Sequence, residues 1–305
     1  MPSVKPWTQL LTLHPERLAT ISVLIGAIFI SFAPVYVRLA NVEPVVAGFY
    51  RVFLAGIFFL PWICFKPKQR SLPNIQTLIL SLTAGICFAS DLMFWHLSIR
   101  YVGPGVATLL GNMQIFFLIL FSYFLLKEAI PLRIALTLPL ASFGLILLVG
   151  DQWHALGSNY HYGVVCGLLT GVFYSGYTLC LRQIQALSVI KQPVQTLTLI
   201  CFMTALVFMV IANIQHQSLF HVPPHAWGWL LAYSLLAQGV GWLLITYGIP
   251  HIKLSLVGFL LLLQPSFAFV WDTLFLHRAT NLIQLSGLIL TLYAIYLSSA
   301  GKKKR

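Results

Sequence analysis

LGNMQIFF (Leu110–Phe117) and LLLLQPSF (Leu260–Phe267) lie 150 residues apart, and the same ungapped shift keeps matching beyond them. Leu110/Leu260, Gln114/Gln264, Phe117/Phe267, Leu126/Leu276, Ala129/Ala279, Leu132/Leu282 and Leu140/Leu290 coincide. A shift of 144 pairs an earlier stretch with a later one through Leu24/Leu168, Phe29/Phe173, Ser31/Ser175 and Arg38/Arg182. Leucine coincidences are cheap in so apolar a chain, so the polar pairs carry the weight. The chain reads as one unit written twice.

Composition says which solvent that unit meets. Of 305 residues, 59% are hydrophobic and only 8% charged, with a mean hydropathy of +0.89. A water-facing surface needs roughly 25% charged residues, so this chain must face lipid. A net charge of +12 would suggest nucleic acid in a soluble protein. Here the basic residues sit in short gaps between apolar runs and in a terminal cluster, Lys302 to Arg305, which is a signature of membrane orientation. Nucleic acid is therefore not an expected partner; the lipid bilayer is. The five cysteines (Cys64, Cys87, Cys166, Cys180, Cys201) lie scattered in apolar stretches and form neither a disulfide framework nor a zinc pattern.

Apolar runs of about 20 residues suffice to span a bilayer. Ten such runs occur, near 20–39, 47–65, 75–98, 104–126, 131–150, 161–182, 194–214, 225–249, 252–276 and 281–300, with weak breaks at Arg100–Gly103 and Pro250–Lys253. With the N-terminus in the cytoplasm, fourteen basic residues fall inside and four, Arg38, Arg51, Arg100 and Arg278, outside. That bias, and an even number of spans, puts both termini in the cytoplasm. The expected fold is all-α, with ten transmembrane helices forming two inverted five-helix repeats. They cover residues 20–150 and 161–300, between a cytoplasmic segment at 1–19 and a basic tail at 301–305. An odd number of helices per unit makes the second enter the membrane the other way up, an architecture of secondary carriers with the site near the midplane.

Over about residues 20–300 the sequence resembles the EamA-type branch of the drug/metabolite transporter superfamily. The resemblance is carried by the repeat, by Leu125–Glu128 (LLKE) and Leu263–Pro265 (LQP) at the fourth helix of each half, and by Tyr50–Phe53 (YRVF) in the second helix. Lys127 stands where the family has glycine, Ile115 where it has proline, and His277–Arg278 replaces the second glycine–glutamate step. The resemblance implies transport of small organic solutes, commonly amino acids and related metabolites, and often export.

Polar side chains inside a span are costly and mark function by default. Gln114 and Gln264 fall near the middle of their spans, and an inverted pair would bring both to one depth. They read as amides lining a central cavity or as interhelical hydrogen-bond glue. Asp91 is the only carboxylate well inside a span, with Trp95 one turn on and His96 beside it. It suits proton coupling or recognition of a substrate amine; a salt bridge to Arg51 is the structural alternative. Arg51, close in sequence to Glu43 and Arg38, reads as snorkelling to the interface, as part of an outer gate with Glu43, or as a partner for a substrate carboxylate. Asp272 reads as an interfacial group. Gln238 and Trp242 stand one turn apart in the eighth span, and Tyr174 and Tyr177 lie in the sixth; they suit either a cavity wall or packing. Gly163, Gly167, Gly171 and Ser175 recur every four residues, a face for close helix approach. The loop histidines (His154, His161, His216, His221, His225) read as solvated.

There is no GxxxxGK[ST] loop, no HExxH and no GxSxG, so neither an ATP-driven motor nor a common hydrolase is legible. The expectation is a cofactor-free secondary carrier in a bacterial inner membrane, working by alternating access on amino acids or related compounds. The fifth and tenth helices would support the periphery or mediate a homodimer. Other solute classes (a nucleoside, a vitamin, S-adenosylmethionine, a cationic drug) and a non-transporting membrane enzyme are the competing readings.

Overall fold

The computed structural model describes residues 15–64, 72–127, 132–153, 157–187, 189–190, 193–248, 251–252 and 260–299. Among them every regular element is helical. In order these are α1 (Pro15–Ser31), α2 (Ala33–Ala40), α3 (Pro44–Cys64), α4 (Ile75–Val102), α5 (Pro104–Gly111), α6 (Gln114–Leu126), α7 (Leu132–Trp153), α8 (Gly157–Leu187), α9 (Pro193–Ile214) and α10 (Pro224–Ala232). A π-helical segment (Tyr233–Gly241) follows, then α11 (Trp242–Gly248), α12 (Leu263–Phe275) and α13 (Leu282–Ser299). Among the described residues, seven helical stretches are long and apolar enough to cross a bilayer, and Leu136–Gly150 and Leu282–Leu297 are shorter apolar helices. The break expected at Pro250–Lys253 falls mostly outside the described residues, as do Glu128 and the basic tail.

Several spans are broken near their middle, each for a chemical reason. Pro34 has no N–H to continue the ladder, so α1 and α2 meet at a kink around Phe32. Pro265 does the same one turn after Leu261, and the helix is interrupted at Leu262, just before α12 begins. The first half has Ile115 instead of proline, yet α5 and α6 are also separated, at Asn112 and Met113. There the Asn112 side-chain amide donates to the Thr108 carbonyl at 2.8 Å, and the Met113 N–H turns to Leu110 O. A side chain thus supplies the interruption that proline supplies in the other half.

The helices associate through small residues, as expected where lipid offers no competing hydrophobic drive. α4 lies along α8, α3 along α9, α1 along α11, and α12 against α5. On α8 the glycine face is filled by its neighbours: a Cβ at Gly167 would stand 2.7 Å from Leu110 Cβ. The fifth and tenth expected spans, α7 and α13, pack against each other. Their backbones nearly touch: a Cβ at Gly287 would meet the Gly144 carbonyl oxygen at 2.6 Å. Large apolar side chains such as Ile146, Phe124 and Ile289 stand exposed on the outside, as a lipid-facing surface requires.

Candidate functional site

The broken helices converge on a cavity of about 110 Å³ walled by Asp91, Trp95, Gln114, Tyr174, Trp242 and Gln264, with Arg51 on the same wall. Arg51, Asp91, Trp95, Gln114, Tyr174, Trp242 and Gln264 were all singled out from sequence, and all seven reach this one space. Gln114 and Gln264 each begin or nearly begin a helix after an interruption, which frees backbone as well as side chain there. The freed Gln114 carbonyl accepts from Ser175 Oγ at 2.8 Å. Ser31, the repeat partner of Ser175, accepts from the Trp271 indole N–H at 2.8 Å. The Trp242 indole N–H is buried with no hydrogen-bond partner, a donor available to a solute.

Arg51 does not snorkel. It is 7% exposed, and neutral groups hold its guanidinium: Nε donates to Gln238 Oε1 at 2.7 Å and Nη1 to the Tyr233 hydroxyl at 2.7 Å. The rings of Phe88, Trp95 and Tyr233 surround its Cζ at 5.7, 5.6 and 4.9 Å, which stabilises a cation away from water. Tyr233 and Gln238 are five residues apart. In an α-helix that spacing turns two side chains well away from each other, whereas an i→i+5 helix aligns them. The π-helical segment is what lets both reach Arg51, and Ser234 Oγ ties the same segment to the Arg51 carbonyl at 2.9 Å.

Asp91 is 4% exposed. Among the described residues no cationic nitrogen lies within 4 Å of its carboxylate, so the salt bridge to Arg51 entertained from sequence is not made. The two charges share a cavity without touching.

A second buried acid and arginine sit nearby. Asp272, expected at the interface, is 3% exposed. Its carboxylate accepts from the Gly105 N–H at 2.9 Å and lies 3.5 Å from Arg278 Nη1. Arg278 Nη1 also donates to the Val102 carbonyl at 2.7 Å. Gly103, at φ +86°, makes this possible, since a Cβ there would stand 2.9 Å from Arg278 Nη1. The α4–α5 turn is thereby clamped to the end of α12.

The remaining expectations fall elsewhere. Gln238 stands behind Arg51 and is not on the cavity wall. Glu43 is half-exposed and pairs with Arg100 at 3.3 Å, outside the cavity. Tyr177 stacks on Phe88 with centroids 4.7 Å apart. Sequence reasoning passed over Tyr233 and named His96 only as the neighbour of Trp95; the His96 ring nitrogens lie 3.1 Å from the Pro44 carbonyl and 3.0 Å from the Tyr233 hydroxyl. A histidine one turn past the intramembrane acid was the available signal.

The family model described as "EamA-like transporter family" matches residues 17–150 and again 161–300. The chain belongs to the EamA-like transporter family. Members of this family are multi-pass membrane transporters, and the chain is therefore a transporter and not an enzyme. It is 26% identical over 224 residues to the pseudopaline exporter CntI of Pseudomonas aeruginosa, covering 73% of this chain and 75% of that one. An uncharacterised transporter of Archaeoglobus fulgidus is 23% identical, covering 88% and 92% of the two chains. Another, from Methanothermobacter thermautotrophicus, is 24% identical, covering 92% and 86%. One protein crystal structure shares the EamA-like chain's fold at a TM-score of 0.64 and 15% identity, covering 92% of this chain and 97% of that one.

Proposed function

We propose that this transporter exports small zwitterionic metabolites, amino acids or close relatives, by alternating access between two inverted five-helix units. One observation carries the reading: a buried guanidinium and a buried, unpaired carboxylate share one cavity wall without neutralising each other. Arg51 uses Nε and Nη1 on neutral partners, leaving Nη2 to donate a charge-assisted hydrogen bond to a solute carboxylate. Asp91 is placed to accept from the solute ammonium. Gln114, Gln264 and the Trp242 N–H supply further polar contacts, and Tyr174 and Trp95 supply apolar surface.

The size of the cavity agrees with a small solute, since drug-sized ligands occupy clefts of about 300–1,000 Å³. The ten-helix layout, with both termini in the cytoplasm of a bacterial cell, draws support from the doubled family match and from packing that recurs between the halves. The contact of α12 with α1 matches that of α5 with α8, and Ser31 and Ser175 each bond across to the other half. Breaks before both cavity glutamines follow the pattern of discontinuous helices at carrier sites. The relative named as an exporter supports the outward direction.

The test is counterflow in liposomes containing the purified protein. Labelled L-amino acids are expected to exchange saturably, and Arg51→Ala to abolish that exchange. Exchange of a nucleoside, S-adenosylmethionine or a quaternary ammonium drug instead of amino acids would overturn the substrate class. No exchange of any of these solutes would overturn the carrier reading.

A further inference from the structure

We infer that His96 is a positioning residue through which an external proton loosens Arg51 from the transported solute. The inference rests on the exporter reading above and deepens it by assigning the coupling group, which is distinct from the solute-facing Asp91.

The hydrogen bonds around His96 fix where each proton sits. The Pro44 carbonyl can only accept, so His96 Nδ1 carries the hydrogen across the 3.1 Å contact. The Tyr233 oxygen already accepts from Arg51 Nη1, so its own hydrogen points to His96 Nε2 at 3.0 Å. The imidazole is then neutral, and the chain runs one way: Arg51 donates to Tyr233, Tyr233 to His96, and His96 to Pro44. Nε2 is the only nitrogen of the ring with room for a further proton. His96 is 2% exposed, and its partner Pro44 opens α3 next to the half-exposed Glu43. On the proposed topology this is the outer end of the second span.

A proton arriving at Nε2 removes the acceptor that Tyr233 uses. Two cations, the imidazolium and the guanidinium, then converge on one phenol oxygen whose own hydrogen has lost its partner. The group free to move is Arg51, because it borders the cavity, and the unpaired Asp91 carboxylate is there to receive it. Arg51 pairing with Asp91 would neutralise both solute contacts at once. One proton taken up from outside, and given up to the cytoplasm once the site turns inward, is exchanged for one zwitterion leaving, so each cycle carries one net positive charge inward. The charged and titratable groups around His96 are Arg51 on α3, Asp91 on its own α4 and Tyr233 on the π-helical segment. Tyr174 and Tyr177 of α8 and Cys201 of α9 lie in the same buried cluster.

His96→Gln keeps an amide within reach of Tyr233 but does not titrate between about pH 4 and 8. For one-for-one exchange, a gradient of one pH unit supports up to about tenfold accumulation. In liposomes acidic inside, with labelled L-amino acids outside and the membrane potential clamped at zero, the wild type is expected to reach that accumulation. His96→Gln is expected to lose it while retaining counterflow at equal pH. Tyr233→Phe, which removes the phenol from Arg51 but keeps the histidine, is expected to weaken counterflow at equal pH and to lose the accumulation. Accumulation by either variant at the wild-type level would overturn the inference.

A solute-free measurement stands beside these. The Trp95 ring lies 5.5 Å from His96, so tryptophan emission is expected to titrate in the wild type and in Tyr233→Phe but not in His96→Gln. Identical titrations in wild type and His96→Gln would also overturn it. If the wild type exchanges no amino acid at all, the proposed substrate class fails, and the emission titration alone decides the role of His96.

Discussion

Two buried acid–arginine couples lie in this transporter, and they are wired in opposite ways. Asp272 and Arg278 are 3.5 Å apart, with the Gly105 N–H and the Val102 carbonyl as further partners, while Arg278 Nε and Nη2 are buried without a hydrogen bond. Asp91 and Arg51 share a cavity, but Arg51 is held by Gln238 and Tyr233, and Asp91 by no ion or hydrogen bond among the described residues. The first couple is paired internally through one arginine nitrogen and so fastens two helices together. The second keeps both charges available, which costs stability and is justified only if something else comes to pair with them.

Substitutions can break or sharpen this contrast. The largest effect is expected from Asp272→Ala, which strands Arg278 in a buried place: stability should fall by about 3–5 kcal/mol. Thermal unfolding of the purified protein measures it, and an unchanged midpoint would mean the clamp carries little. Arg51→Lys comes next. Lysine has no planar fork to hold Gln238 and Tyr233 while engaging a solute, so exchange should drop about 100-fold, or about 2.7 kcal/mol in barrier, with unfolding much less affected. Counterflow rates on a variant with a wild-type midpoint check this. Asp91→Asn is expected to split the two properties, weakening exchange about tenfold while stabilising the fold by about 1 kcal/mol, because an unpaired buried charge has been removed. Loss of stability in that variant would contradict the unpaired state of Asp91. The smallest effect belongs to Glu43→Gln, whose ion pair with Arg100 is solvent-exposed. A change below about 1 kcal/mol in stability and wild-type exchange are expected, and a large loss of exchange would return Glu43 to the gate.

Much of the architecture was legible because it depends on quantities that a sequence displays. Span length follows from hydropathy, and the Gln114/Gln264 pairing came from a shift that needs no coordinates. The helix interruption beside Gln264 could be read from Pro265, but its counterpart beside Gln114 could not. Asn112 makes that break with a side-chain hydrogen bond, which leaves no distinctive letter in the sequence. The placement of Arg51 was misjudged for a related reason. An arginine near a helix end snorkels by default, unless partners are brought to it. Tyr233 and Gln238 are brought by a π-helical stretch whose residues have no compositional signature. Asp272 was likewise set at the interface, because its main partner, the Gly105 N–H, is backbone 167 residues earlier.

The widened stretch at Tyr233–Gly241 also makes the eighth span sensitive to its residue count. Deleting a single residue within it would let the ladder close as an ordinary α-helix, keeping α11 in phase but turning the Tyr233 and Gln238 positions away from each other. Trp242 would stay on the cavity wall while Arg51 lost one of its two holders, so the solute-facing side of this span would survive and the arginine-facing side would not. Insertions and deletions there are therefore specificity changes, even though they alter no cavity residue.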